Sequence, residues 1–184
     1  MARTTRTNWL EEGLILLRES GEAGLTVERL CVSLDRTKGS FYHHFRDMEA
    51  YLDALLEHWE AKHTSAPILA AAAGATFAER RRRLDESVLA LDMKLDVAVR
   101  AWALRDARAR SALLRVDARR IDYLAELYAL AHGKGPLARQ LADLEYATFV
   151  GMQQILPALS ARRYHALHAA LTRATELLAK DSKA

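Results

Sequence analysis

The sequence is short of the residues that cross-link or interrupt a chain. Its single cysteine, Cys31, excludes a disulfide within the chain and fits a reducing compartment. Three prolines, Pro67, Pro136 and Pro157, leave long stretches without a helix breaker. No apolar run approaches the ~20 residues that a membrane span needs; PILAAAAGA at 67–75 is short and rich in Ala, and reads as a linker or helix edge. The N-terminus lacks the apolar core of a secretory signal, so a cytoplasmic protein away from membranes is expected. HExxH, CxxC, GxSxG and the phosphate-cradling glycine loop are all missing, and with them the usual marks of zinc, dithiol, serine-hydrolase and P-loop chemistry. His58 and His63 lie five apart, a poor pair on one helix face. His165 and His168 lie three apart, with no acid or cysteine beside them. No metal or cofactor is therefore expected.

What remains is helical. Hydrophobic residues make up 51% of 184, enough to bury a core in one large domain or two small ones. No segment carries the two-residue alternation of a strand, whereas apolar stripes at i, i+3, i+4 and i+7 recur throughout. The expected fold is all-α with about nine helices. The formal charge of +3 says little by itself. Residues 1–47 hold seven Lys/Arg against seven Asp/Glu, so any basic surface must come from placement, not balance.

Residues 26–45 are the most informative stretch. Val27, Leu30, Cys31 and Leu34 form one helical stripe, with Thr26 placed to cap it. Leu34-Asp35-Arg36 is turn-sized, and Asp tolerates a left-handed conformation. Thr37 then caps a second helix that turns Phe41 and Phe45 inward. At 100° per residue Gly39, Ser40, Tyr42 and His43 face outward. A glycine there costs a helix about 1 kcal/mol against alanine, a loss that close approach of another surface would offset. From Arg36 to Arg46 there are three formal cations, two histidines and no acid. Hydroxyls, cations and a helix start are what phosphate oxygens recruit, and two helices joined by a tight turn match a DNA-binding helix-turn-helix.

TKGSFYHHF, residues 37–45, resembles the recognition-helix signature of the tetracycline-repressor (TetR) family. The resemblance extends outward through WLEEGLILLRESGEAGLTVERL and FRDMEAYLDALLEHW, covering roughly residues 8–60. It implies an all-α homodimer with an N-terminal helix-turn-helix domain (1–47), a linking helix (47–66) and a larger ligand-binding and dimerisation domain (67–184). It also implies a regulator, in most members a repressor, that a small molecule releases from a pseudo-palindromic operator in double-stranded DNA. Thr26, Thr37, Lys38, Gly39, Ser40, Tyr42 and His43 match the DNA-contacting positions. Thr26, Ser40 and Tyr42 would hold phosphates, and Lys38, Gly39 and His43 lie nearest the bases. Arg3 and Arg6 form a possible basic arm. Two departures stand out: Asp35-Arg36 replaces the usual Gly and apolar residue, with Arg36 available to a phosphate, and Met48 replaces a backbone-contacting lysine.

Further along, Asp47 should cap the linking helix, with Met48, Leu52, Leu55 and Trp59 inward. Thr76 and Glu79 make a capping box. The cations of RRRR at 80–83 read as the exposed side of a helix whose inner residues are Phe77, Leu84, Val88 and Leu91. Asp96 and Asp106 are the expected caps of the next two helices, the second burying Leu114, Ile121, Leu124, Leu127 and Tyr128. A glycine-then-proline stop follows at HGKGP, 132–136, and the last helices run to Pro157 and from Ser160. Their stripes hold Leu141, Leu144, Thr148, Gly151 and Ile155, and Leu167, Leu171, Ala174 and Leu178. Leu144, Thr148, Gly151, Ile155, Leu167, Leu171 and Ala174 are the expected dimer interface. Met93, Trp102, Tyr123, Tyr128, Tyr146, Phe149 and Met152 are candidate effector-pocket residues, with Gln153 or Arg100 as possible polar anchors; large residues at such positions are more often plain core. Two other readings stay open: an interaction module that keeps the fold without DNA binding, and an all-α enzyme.

Overall fold

The computed structural model describes residues 4–155 and 160–181. Arg3, the helix end at Pro157 and the side chain of Leu178 lie outside the described residues. The helices are α1 (Arg6–Ser20), α2 (Val27–Leu34), α3 (Lys38–His44), α4 (Met48–Glu60), α5 (Ala66–Ala72), α6 (Phe77–Leu89), α7 (Met93–Ala103), α8 (Ala107–His132), α9 (Pro136–Ile155) and α10 (Ala161–Asp181). A short 3₁₀ turn covers Glu22–Gly24, and a π-helical segment, Ala61–Ser65, runs from α4 into α5. With α4, that segment and α5 taken as one helix, the described residues hold nine, and no strand. None is long and apolar enough to cross a membrane.

Most boundaries follow from capping side chains that accept otherwise orphaned N–H groups. Thr26 accepts from the Arg29 N–H at 3.2 Å, and Thr37 from Ser40 at 3.3 Å. Asp47 accepts from Ala50 at 2.7 Å, and Asp106 from Ala109 at 2.8 Å. Asp35 takes the left-handed conformation that ends α2, at φ 52° and ψ 56°. Thr76 caps α6, but the Glu79 carboxylate reaches the N–H of Ala75, not that of Thr76. The start of α7 corrects a sequence expectation. Asp92 caps it through the Lys94 N–H, while Asp96 is buried inside the helix. The expected break at Pro67 is also displaced. α5 runs through this proline to Ala72; Pro67 has no N–H to give and falls just after the π segment, where the regular ladder is already interrupted.

The chain forms two compact units. One comprises the residues up to Ser65 with Asp92–Val116; the other comprises Ala66–Leu91 with the residues from Asp117 onward. The first unit therefore takes in α7 and the start of α8 in addition to the four N-terminal helices. Its core centres on aromatic rings. Trp9, Phe41 and Tyr51 are fully buried. Trp9 and Phe41 meet edge to face at 5.4 Å, and Phe45 and Tyr51 do so at 4.9 Å, geometries that the ring quadrupoles favour. The Tyr51 hydroxyl donates to the Trp9 carbonyl at 2.9 Å by passing over Gly13. A Cβ on Gly13 would stand 1.9 Å from that hydroxyl oxygen, so only glycine fits. Asp96 accepts from the Trp59 indole N–H at 2.9 Å and lies 3.5 Å from His63 of the π segment. This buried carboxylate ties α7 to the end of α4.

The second unit packs α8 against α9 through Leu124, Tyr128, Ala138, Leu141, Ala142 and Tyr146, with Leu84 of α6 against the same cluster. Leu114, expected inside, is 64% exposed. It lies on the early part of α8, whose buried stripe is Ala109, Ala112 and Val116.

Gly13→Ala is expected to cost ~2–4 kcal/mol, from overpacking and the displaced tyrosine hydroxyl. Tyr51→Phe alone should cost ~1 kcal/mol, and the double variant should be more stable than Gly13→Ala because the clashing oxygen is gone. Urea denaturation of the three variants measures this; additive losses would show that the two residues do not meet as described.

Candidate nucleic-acid interface

α2, the turn at Asp35 and α3 make the helix-turn-helix, and the core decides which side of α3 faces out. Phe41 at 0% exposure pins the inner side. Lys38, Gly39, Tyr42 and His43 are exposed on the other, and Ser40 is half-buried. Tyr42 leaves 52% of its surface open while its ring leans edge-on against Phe41 at 5.3 Å. About half of the residue is thus open on the outward side of α3. Thr26 and Thr37 each use an oxygen lone pair for capping, which leaves the hydroxyl hydrogen to donate to a phosphate. Gly39 has open space around it: a Cβ there would meet only the Thr37 hydroxyl, at an ordinary 3.8 Å.

The cations of this region are engaged within the chain. Arg36 donates to the Thr4 hydroxyl and to the Asp35 carbonyl, so it ties the N-terminal segment to the turn instead of standing free for a phosphate. Lys38 bonds Glu28 of α2, and Arg46 bonds Asp47 at 2.7 Å. Arg6 is the first residue of α1, with its guanidinium 5.1 Å from the centre of the Phe45 ring; it is a cation–π partner of the core edge and no part of a loose arm. His44 bonds the Thr4 carbonyl at 3.1 Å. Met48 packs against the core.

The expected effector residues are divided between the two units. Trp102 belongs to the core of the first unit, and Met93 is half-buried on the same helix. Tyr123, Tyr128, Tyr146, Phe149 and Met152 lie in the second unit, where Tyr128 and Tyr146 have internal tasks. Tyr146 donates to Asp117 at 2.6 Å. Tyr128 donates to Glu145, also at 2.6 Å. The Tyr123 hydroxyl and both polar atoms of the Gln153 amide are buried without a hydrogen-bond partner.

Sequence reasoning missed the charged cluster beneath Tyr128. Arg81, expected on an outer face, has a side chain only 14% exposed and grips Glu145 with two hydrogen bonds, at 2.6 and 2.8 Å. Asp85, His168 and Tyr164 complete the cluster, bringing in α10. Burial works against both charges of the central pair, and their mutual hydrogen bonds and attraction outweigh it. Arg81 is held above its ordinary value and Glu145 below. Burial and the Arg81 charge press His168 down, toward its neutral form. Arg82 and Arg83 bond Glu86 and Glu79 along α6, and Arg80 donates to the Gly74 carbonyl. The four arginines thus go to different partners. Their only sequence signal was the i, i+4 spacing of three of them to carboxylates. Among the described residues no group of three His, Cys, Asp or Glu side chains is arranged to hold a metal ion.

No protein-family model matches the chain, and no curated protein matches its sequence. Solved structures do. The chain is similar to the reduced form of Escherichia coli NemR, with 24% identity and a TM-score of 0.75 over 93% of this chain and 96% of that one. It is similar to a TetR/AcrR family member at 20% identity and a TM-score of 0.76, over 90% and 95%. It is also similar to the ketosteroid transcriptional regulator KstR2 of Mycobacterium tuberculosis, at 17% identity and a TM-score of 0.61, over 96% and 94%. The all-helical fold is the one these proteins share.

The Arg81–Glu145 pair offers a check that needs no ligand. Glu145→Gln takes one of two carboxylates from the buried Arg81 guanidinium and should cost ~3 kcal/mol, whereas an Arg81→Met/Glu145→Gln double variant, which leaves Asp85 facing His168, should be closer to wild type. Because the folded chain holds the Glu145 carboxyl below its ordinary 4.5, the pair's contribution is present above pH about 4.5 and fades as pH falls through and below that value. Denaturation of wild type and double variant from pH 7 to pH 3 should show their difference changing in that window; a constant difference would contradict the assignment.

Proposed function

We propose that this chain is a dimeric DNA-binding transcriptional regulator of the TetR type, a repressor released from its operator by a small molecule. One observation carries the reading. Gly39 lowers the helix propensity of α3 by about 1 kcal/mol, and no neighbour among the described residues requires the missing side chain. The offset must come from outside, from a surface that lies flush against α3. The surrounding groups suit duplex DNA: Thr26, Thr37, Ser40 and Tyr42 donate to phosphates, and Lys38, Gly39 and His43 face base edges. The shared fold with regulators of known structure supports the same reading.

In this proposal residues 1–47 bind DNA, residues 47–66 link, and residues 67–184 bind the effector and the second copy. Leu144 at 42% exposure, Ile155 at 75% and Leu167 at 37% are large apolar side chains left open on α9 and α10. With the neighbouring Thr148, Gly151, Leu171 and Ala174 they provide a self-complementary face on which two copies form a four-helix bundle. A two-fold dimer would set its recognition helices one DNA turn, about 34–36 Å, apart. In the second unit Tyr123 and Gln153, buried with nothing to bond, are the polar anchors for an amphipathic effector bearing a hydroxyl or carbonyl group. Such an unpartnered amide is costly unless a ligand satisfies it. Effector binding would change the spacing of the recognition helices, so that only one groove fits at a time.

The test begins with selection of bound fragments from genomic DNA, followed by gel shifts on the recovered duplex. Tyr42→Phe removes a hydrogen bond to a charged oxygen and should weaken binding about tenfold or more. Gly39→Leu should abolish it, with both variants at least as resistant to heat as wild type. Undiminished binding by Gly39→Leu would refute a close contact at α3. Sedimentation should give a dimer, and a Leu144→Glu/Ile155→Glu variant a folded monomer; a wild-type monomer at all concentrations would remove the dimer from the proposal.

A further inference from the structure

We infer that Glu28 restrains the recognition helix: it holds Lys38 in the free protein and must release it when DNA binds. This rests on the regulator reading above. No acid lies between residues 36 and 46, yet the fold supplies one. Glu28 sits on the first turn of α2, ten residues before Lys38. The helix-turn-helix angle brings its carboxylate onto the ammonium at the first position of α3. Both side chains remain largely open, at 63% and 59% exposure, so the pair lies on the surface that would meet the duplex and is not buried beneath it. The ammonium holds the Glu28 carboxyl below its ordinary range, and the carboxylate holds Lys38 above its own. The other two cations of the stretch are also engaged, Arg46 by Asp47 and Arg36 by Thr4 and the Asp35 carbonyl. Lys38 is the one of the three that stands on the outward face of α3 itself.

A phosphate or guanine approaching α3 therefore meets a neutral pair. To gain Lys38 it must displace a carboxylate that then remains beside the DNA's own negative charge. This lowers the part of the affinity that any duplex would receive from phosphate charge alone. The hydroxyl and base contacts, which Glu28 does not oppose, carry a larger share. Glu28 is in this sense a positioning residue that acts through Lys38 on how strongly binding depends on sequence.

The experiment is a fluorescence-anisotropy titration of the genomically selected duplex against wild type, Glu28→Gln, Lys38→Ala and the double variant, from ~0.05 to ~0.4 M salt, a range over which phosphate contacts lose most of their strength. Glu28→Gln is isosteric and should melt like wild type, since an exposed pair contributes little to stability. It is expected to bind about five- to tenfold more tightly near 0.1 M salt, with a log–log salt slope steeper by about 0.9, the value of one newly uncompensated phosphate contact. Lys38→Ala should weaken wild type modestly, because Glu28 opposes the contact there, and weaken Glu28→Gln by more, removing most of its gain. Unchanged affinity and slope in Glu28→Gln, weaker binding, or a gain that survives Lys38→Ala undiminished would each overturn the inference while leaving the regulator reading intact. If wild type and Glu28→Gln alike retain no sequence over another at any salt, the regulator reading falls and this inference with it.

Discussion

A tyrosine hydroxyl crossing a glycine holds the first unit in register. Tyr51 of α4 reaches the Trp9 carbonyl only because Gly13 has no side chain, and this fixes α4 against α1 at a separation that any Cβ would prohibit. On that base Trp9, Tyr51 and Phe45 form the wall against which Phe41 packs. Once Phe41 is buried, the helical repeat leaves Gly39, Tyr42 and His43 no choice but to face outward. The orientation of the candidate DNA surface is thus a consequence of aromatic packing on its opposite side.

Electrostatics within that unit moderates the surface instead of maximising it. Each formal cation between residues 36 and 46 has a partner in the chain, while the hydroxyls of Thr37 and Tyr42 stay accessible. An interface built this way relies on geometry more than on accumulated charge. The balanced composition of residues 1–47 points to the same conclusion from the sequence side, since seven cations and seven acids cannot make a uniformly basic face.

The second unit solves a different problem. It buries an arginine and a glutamate, which is favourable only where their hydrogen bonds are nearly complete. Arg81 and Glu145 meet through two bonds, and Tyr128 takes a further acceptor position on the carboxylate. Asp85 and His168 close the cluster around them. Such a network specifies how α6, α8, α9 and α10 fit together more narrowly than leucine packing would. By contrast, the Gln153 amide and the Tyr123 hydroxyl of the same unit are buried without a hydrogen-bond partner among the described residues.

The local signals were legible in the sequence because they act over three or four residues. Thr26, Thr37, Asp47 and Asp106 cap helices where a hydroxyl or carboxylate precedes an apolar stripe, and Asp35 adopts the left-handed turn that its short polar side chain permits. The outward set on α3 followed from the same periodicity. What the sequence could not determine depends on residues that meet only after folding. Arg81 and Glu145 are 64 positions apart, Trp59 and Asp96 37, and Gly13 finds its purpose in Tyr51. Asp96 and Asp92 look alike as helix starts; burial beside Trp59 and His63 distinguishes them. Glu28 belongs to the surface of α3 only through the angle between two helices. Charge pairing and close packing are properties of distance in space, and tertiary structure alone sets that distance.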